Sequence, residues 1–390
     1  MKRIIAIIIL SALMLSFTTV AFAGGFDDES VTTDLPGDGL TVEAESVCLM
    51  EASTGKILTA SNEYSAASPA SVTKIMTLLL VCEALAEGVY KLEDTVTVSD
   101  YAASMGGSQV FLEEGEGFTV EELLKCTVIA SANDAAVALA EYTAGSEEAF
   151  VRRMNERAAE LGLKNTSFEN TTGLDDTVTN HYSCAADIAV MSRELIAHDI
   201  ILKYSSIWQD SIRDGEFTLT NTNRLVRFYD GCNGLKTGST DKAGYCVSAT
   251  AKRGNMQLIA VVMGAKTRDK RNEAARKLLD YGFANYALYE RPEQFIENVP
   301  VIGGKTDYIP LRSPSFSAIV KKSDLSKIEI EYEIPESIKA PITEGDEIGK
   351  IVYRLGEEIL GEDALPAGEN IEKISLFELM LRILRQIVGA

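Results

Sequence analysis

The chain has 390 residues, 46% of them hydrophobic and 24% charged, a globular composition with length enough for two domains. Acidic residues outnumber basic ones by 58 to 37, for a net charge of −21. Such a chain repels nucleic acid, so no nucleic-acid partner is expected, and any anionic substrate has to be held by local cations.

Residues 1–23 read as a signal peptide. Lys2 and Arg3 precede a largely apolar run from Ile4 to Leu15, and Ala21-Phe22-Ala23 is a small-residue cleavage site. A retained membrane anchor is the alternative, and either places the rest of the chain outside the cytoplasm. The acidic, Thr/Gly/Asp-rich stretch that follows reads as a disordered leader over 24–40. Six cysteines are present with no C-x-x-C pair, and Cys82 and Cys126 sit in apolar runs as expected of core residues. Two histidines without a Cys/His cluster argue against zinc, and no metal is expected.

Three S-x-x-K matches begin at Ser53, Ser71 and Ser239. Ser53 lies in Glu51-Ala-Ser-Thr-Gly55 between two short apolar runs, the tip of a predicted hairpin. Ser239 is expected in the loop after Gly238. Ser71 follows a plausible N-cap, Ser68, and a plausible first helical residue, Pro69, with the apolar run Ile75 to Leu85 behind it and Gly88 as the stop. In a first helical turn its backbone N–H is free for a substrate, and Lys74 lies three residues on along the same face. An N-capped helix with a surface lysine would look the same.

A serine nucleophile needs a base. His198 reads as the last turn of a helix, His181 as a loop residue, and no G-x-S-x-G accompanies either. Lysine remains, provided burial or a second cation lowers its pKa. Ser131-Ala-Asn133 falls between a helix opened by the capping box Thr119-Val-Glu-Glu122 and a second helical run, Ala135 to Tyr142, closed by Gly145. Its Ser can relay a proton and its Asn can hold an amide, or both can merely cap the second helix. Lys236-Thr-Gly238 precedes the runs Tyr245 to Ala251 and Met256 to Gly264, which read as adjacent antiparallel strands. Lys236 and Thr237 can meet a carboxylate, and Gly238 permits close approach of a substrate backbone. Arg271 is expected near the start of the next helix, where a cation opposes the helix dipole.

Beyond Arg291-Pro292, expected to end that helix, Lys327 to Ile334 alternates as a half-buried strand and prolines and glycines punctuate further short ones. This is read as a small β domain over 291–370, a spacer or docking surface. Residues 371–390 form an amphipathic helix whose apolar residues fill one broad arc, suited to a membrane surface rather than to crossing it. Packing on the β domain is the alternative, made weaker by the linker-like acidic stretch after Gly368.

Together, Pro69-Ala-Ser-Val-Thr-Lys-Ile-Met-Thr77, Ile129-Ala-Ser-Ala-Asn-Asp-Ala135 and Gly234-Leu-Lys-Thr-Gly238 resemble the low-molecular-mass penicillin-binding proteins, specifically serine D-alanyl-D-alanine carboxypeptidases. The resemblance implies an α+β, transpeptidase/β-lactamase-like antiparallel sheet packed by helices over 41–290, followed by the β domain and the amphipathic helix. It implies Ser71 as acylated nucleophile, Lys74 as base and Ser131 as proton relay. Asn133 would hold the substrate amide, and Lys236, Thr237 and Arg271 its carboxylate. Backbone N–H groups of Ser71 and Ser239 would form the oxyanion hole beside Gly238. The implied partners are peptidoglycan stem peptides ending in D-Ala-D-Ala and β-lactam antibiotics. No cofactor is implied, and the implied location is the outer face of the cytoplasmic membrane. A β-lactamase and a catalytically silent cell-wall binding protein are the rivals, the first lacking an E-x-x-L-N signature and the second opposed by a full catalytic set.

Overall fold

The computed structural model describes residues 32–35, 39–176 and 178–388. The predicted signal peptide and most of the leader lie outside these. The leader's end is not disordered: Thr32–Asp34 pairs antiparallel with Thr41–Glu43, and Leu35 is buried.

The framework is a five-stranded sheet of β1 (Ser46–Glu51), β2 (Ile57–Ser61), β3 (Cys232–Thr240), β4 (Gly244–Arg253) and β5 (Met256–Ala265). Spatial order is β2-β1-β5-β4-β3, antiparallel throughout, which leaves β3 as an edge. Strand side chains alternate between faces, and here both faces are covered. Cys48, Met50, Ile259 and Val261 enter one core, while Val47, Leu49, Leu258 and Ala260 enter the other. That explains why the strands read as continuous apolar runs.

The first face carries most of the helices, among them α1 (Lys74–Ala86), α2 (Val120–Ile129), α3 (Asn133–Ala144) and α4 (Ala185–Ile196). Helix α1 is buried nearly all round, including Leu78, Leu79 and Val81, as an internal helix must be. The capping box at Thr119 and Glu122 forms and opens α2, and Gly145 closes α3 in the left-handed conformation. The second face is covered by α5 (Arg268–Asn285) through Ala274, Ala275, Leu278 and Leu279. Cys82 and Cys126 are core residues, and burial pushes the Cys82 thiol up to about 12.

Helix α5 stops at Asn285, not at Arg291, because Tyr286–Arg291 is already a strand paired with Phe316–Lys321. The β region has its own core of Val299, Ile309, Leu311, Ile351, Tyr353 and Leu365. The expected strand forms as Ile328–Glu333, with Ile328 and Ile330 partly buried and the glutamates exposed. The stretch before the last helix is no free linker. Ile371 is buried and bridges Ile342, and Lys373 bridges Gly304. Helix α6 (Leu376–Val388) follows, opened by a reciprocal bond pair between Ser375 and Glu378. Its apolar side chains stay exposed, Leu376 at 87% and Ile387 at 75%. Arg382 pairs with Asp307, so one polar side touches the β region. Among the described residues no helix is long and apolar enough to cross a membrane.

Candidate active site

Ser71 does not open an α-helix. Ala70–Thr73 is a single 3₁₀ turn ahead of α1, and Ser68 does not cap it, because its hydroxyl donates to Asp175 Oδ2 instead (3.1 Å). Ala70 takes φ +47°, a left-handed conformation rare for alanine. Gly173 explains how the turn is braced: a Cβ there would lie 1.8 Å from the Ala70 carbonyl oxygen. Ser71 itself is half-buried and faces a cleft of about 440 Å³.

Lys74 is fully buried at 0% exposure, and its Nζ meets three groups. It donates to Asn133 Oδ1 (2.5 Å) and to the Thr172 carbonyl (2.9 Å), and lies 3.1 Å from Ser71 Oγ. Burial, then the charge of Lys236, hold its pKa well below the usual lysine value, against a smaller opposing pull from Asp134. A neutral amine has two N–H groups and one lone pair. Two carbonyl oxygens use the N–H groups, which leaves the lone pair for the serine hydroxyl. The sequence asks for a lysine base, and the fold supplies both things such a base needs.

Ser131 sits between α2 and α3 at φ +63°. It does not cap α3: the N-cap is Ala132, without a side-chain bond. Its hydroxyl instead accepts from Lys236 Nζ (2.7 Å), which also donates to the Thr237 carbonyl (2.8 Å). Lys236 is 1% exposed, and burial together with Arg271 brings its pKa down to about 7. Asn133 is buried, with its amide Nδ2 donating to Gly106 O (2.7 Å), so both ends of this side chain are bonded within the protein.

Strand β3 brings Lys236, Thr237, Gly238 and Ser239 past the turn. It continues through Thr240, so Ser239 is a strand residue paired with Tyr245 and not a loop residue. Gly238 proves necessary for a reason the sequence does not give. What approaches it is the chain's own turn, since a Cβ at 238 would meet Ser71 N at 2.8 Å and Pro69 O and Val72 N at 2.9 Å. Thr237 Oγ1 bonds Thr222 Oγ1 (2.8 Å) and faces the cleft. Arg271 lines the same cleft, mostly buried, its pKa drawn down to about 10 by burial and by Arg268. Of the other two S-x-x-K serines, Ser239 lines this cleft from the strand, while Ser53 stays apart from it. Ser53 caps the hairpin by bonding Glu51, and Lys56 is exposed.

His181 is not the base. Its Nδ1 accepts from the Glu169 backbone N–H (3.1 Å), so its proton is on Nε2 and is donated to Thr73 Oγ1 (2.8 Å). Burial lowers its pKa to about 4, which keeps it neutral and structural. His198 lies past the end of α4, just before the short helix Asp199–Ser205.

Several residues were not found by sequence reasoning. Asp175 clasps Ser68, just ahead of the Ser71 turn, and Thr240 (2.5 Å) at the end of β3. Trp208, Thr222, Arg224 and Arg268 line the cleft. No motif marks them, and only Asn221-Thr-Asn-Arg224, polar between apolar runs, offers a hint. Among the residues that line the cleft there is no carboxylate, and among the described residues no acidic, His and Cys cluster could hold a metal.

Residues 30–267 match the family model described as D-alanyl-D-alanine carboxypeptidase, and residues 283–373 match that of the penicillin-binding protein 5 C-terminal domain. The D-alanyl-D-alanine carboxypeptidase DacF of Bacillus subtilis is 44% identical, over 98% of each chain. Penicillin-binding protein 5 of Haemophilus influenzae superposes with a TM-score of 0.76 at 32% identity, covering 86% of this chain and 100% of that one. Penicillin-binding protein D2 of Listeria monocytogenes, solved in its ampicillin-bound form, superposes with a TM-score of 0.58 at 30% identity, covering 63% of this chain and 100% of the other.

Proposed function

The chain belongs to the D-alanyl-D-alanine carboxypeptidase family of serine enzymes, and from that membership we propose that Ser71 is its acylated nucleophile and Lys74 the base. Neutral Lys74 takes the Ser71 proton as Oγ bonds to the carbonyl carbon of the penultimate D-alanine. The developing oxyanion is held by the backbone N–H groups of Ser71 and Ser239, a role supported by the close seating of neighbouring Gly238 on the Ser71 turn. The terminal carboxylate meets Lys236, Thr237 and Arg271. Collapse breaks the C–N bond, and the leaving D-alanine amine receives a proton from the lysine pair through Ser131. Water then hydrolyses the acyl-enzyme, returning Ser71. Asn133 turns its amide from Gly106 to the substrate when the cleft fills. The observation that carries this reading is the contact of a fully buried lysine with the Ser71 hydroxyl.

β-Lactams acylate the same serine, by analogy with the ampicillin-bound relative. The lack of a carboxylate among the cleft-lining residues favours slow release of that adduct and so disfavours a β-lactamase, which must deacylate fast. Mass analysis of a D-Ala-D-Ala pentapeptide after incubation should reveal loss of one alanine. An intact pentapeptide beside a labelled protein would sink the carboxypeptidase assignment.

Residues 41–290 then carry out the chemistry, and 291–370 hold it away from a membrane to which 371–390 bind. The exposed apolar arc of α6 supports this, as does the export signal read in residues 1–23, which puts the enzyme at the outer face of the cytoplasmic membrane. Deleting residues 375–390 should move the enzyme from membranes to the soluble fraction with peptide hydrolysis retained. Truncated protein that still sediments with membranes would contradict the surface anchor.

A further inference from the structure

Arg224 and Arg268 line the cleft, yet the chemistry above uses neither. Both are exposed, and neither has an ion-pair partner among the described residues. Arg224 is held from two sides. Its guanidinium lies over the Phe228 ring, 5.6 Å from the centroid. Its neighbour Asn223 donates to the Gly234 carbonyl (2.8 Å), which ties this segment to the strand that carries Lys236. Arg268 opens helix α5 in the first turn, where a cation opposes the dipole, and it presses on Arg271 one turn further on.

Three arginines thus line one cleft with no carboxylate among the lining residues, in a chain where acids exceed bases by 58 to 37. The Arg268 charge is felt at Arg271, whose pKa it lowers, and an anion entering the cleft relieves that repulsion. One terminal carboxylate accounts for Lys236, Thr237 and Arg271 and leaves two guanidinium groups unused. We propose that Arg224 and Arg268 form a second anion subsite, which takes a second free carboxylate of the substrate, so that peptides with two carboxylates are preferred to those with one. This rests on the reading of Ser71 as nucleophile and of Thr237 and Arg271 as the terminal carboxylate site. The second carboxylate has two possible sources: the diamino acid that precedes D-Ala-D-Ala, or the leaving residue itself.

Three peptides test it. N-acetyl-L-lysyl-D-Ala-D-Ala has one carboxylate. Replacing its lysine with diaminopimelate adds a second on the acyl side, and replacing the last residue with D-aspartate adds it on the leaving side. Values of kcat/KM are compared for the wild-type enzyme, Arg224→Lys, and Arg224→Gln combined with Arg268→Gln. The wild type should favour one of the two dicarboxylate peptides by about ten-fold or more, the scale of one charge-assisted hydrogen bond. Whichever is favoured identifies the source. The double variant should bring that ratio to near unity, Arg224→Lys should keep much of it, and added salt should shrink it. Ratios taken within one enzyme cancel any general loss of active protein. Equal rates on all three peptides, or a double variant that keeps the preference, would overturn the subsite alone. Absence of D-amino-acid release from every peptide would instead overturn the underlying reading, and the subsite with it.

Discussion

Replacing Gly238 with alanine tests how tightly the edge strand must seat on the nucleophile turn. The added methyl would lie 2.8 Å from Ser71 N and 2.9 Å from Pro69 O and Val72 N. All three are backbone atoms, so no side chain can swing aside, and comfortable separation is about 3.5 Å or more. The turn and the strand therefore have to part by roughly half an ångström. Overpacking of this kind costs about 1–3 kcal/mol of stability. The kinetic effect should be larger, because the same shift separates the two proposed oxyanion donors, and loss of one such donor lowers rates by about 10²–10³. The assay is the second-order rate of acylation by a fluorescent penicillin, taken beside a thermal melt. Gly368→Ala, where nothing lies within 4 Å, serves as the control. We expect acylation to fall by about two orders of magnitude or more while most of the protein stays folded. A Gly238→Ala enzyme that acylates within two-fold of wild type would refute the close-approach argument.

Removing the Lys236 charge should move the pH dependence of acylation. The Lys236 charge lowers the Lys74 pKa, and with Lys74 as the proposed base acylation needs its neutral amine, so the rate should fall as pH drops through that value. In Lys236→Gln the Lys74 pKa rises, and the acid limb should shift to higher pH whatever happens to the maximum; an unmoved limb would mean that the two lysines are not coupled. Gly173→Ala should be severe. Its Cβ would overlap the Ala70 carbonyl, and its φ of +83° is costly for alanine, so a loss of at least about 3 kcal/mol is expected from strain plus overpacking, read as a large drop in denaturation midpoint. A near-normal midpoint would show that the 170–174 loop does not brace the nucleophile turn.

What the sequence made legible was mostly local. The hairpin at Ser53, the capping box at Thr119 and Glu122, the Gly145 stop and the pairing of β4 with β5 all depend on neighbours in the chain, and they form as read. The ordered serine and lysine elements were legible because their residue types are demanded by the chemistry. Contacts between distant segments were not. Ser68 looked like a helix cap because Asp175, 107 residues on, was invisible. Gly238 looked like room for substrate because nothing local said that the Ser71 turn packs there. Asn133 and Ser131 could have been caps, and only the fold turns them toward two buried lysines. The end of α5 was misread because Tyr286–Arg291 finds its partner strand 30 residues later. The arginine rim carried no signal, since an exposed arginine in a loop and one at a helix start look like solvated charges until the fold gathers them around one cleft.

The central claim is that Ser71, served by Lys74, is the residue that becomes acylated. Trapping the enzyme with benzylpenicillin, digesting it and locating the adduct by mass spectrometry tests this most directly. The account predicts one adduct, on the peptide containing Ser71, absent from Ser71→Ala and strongly reduced in Lys74→Ala, with Ser53 and Ser239 unmodified. An adduct on another serine, or undiminished labelling of Ser71→Ala, would contradict it.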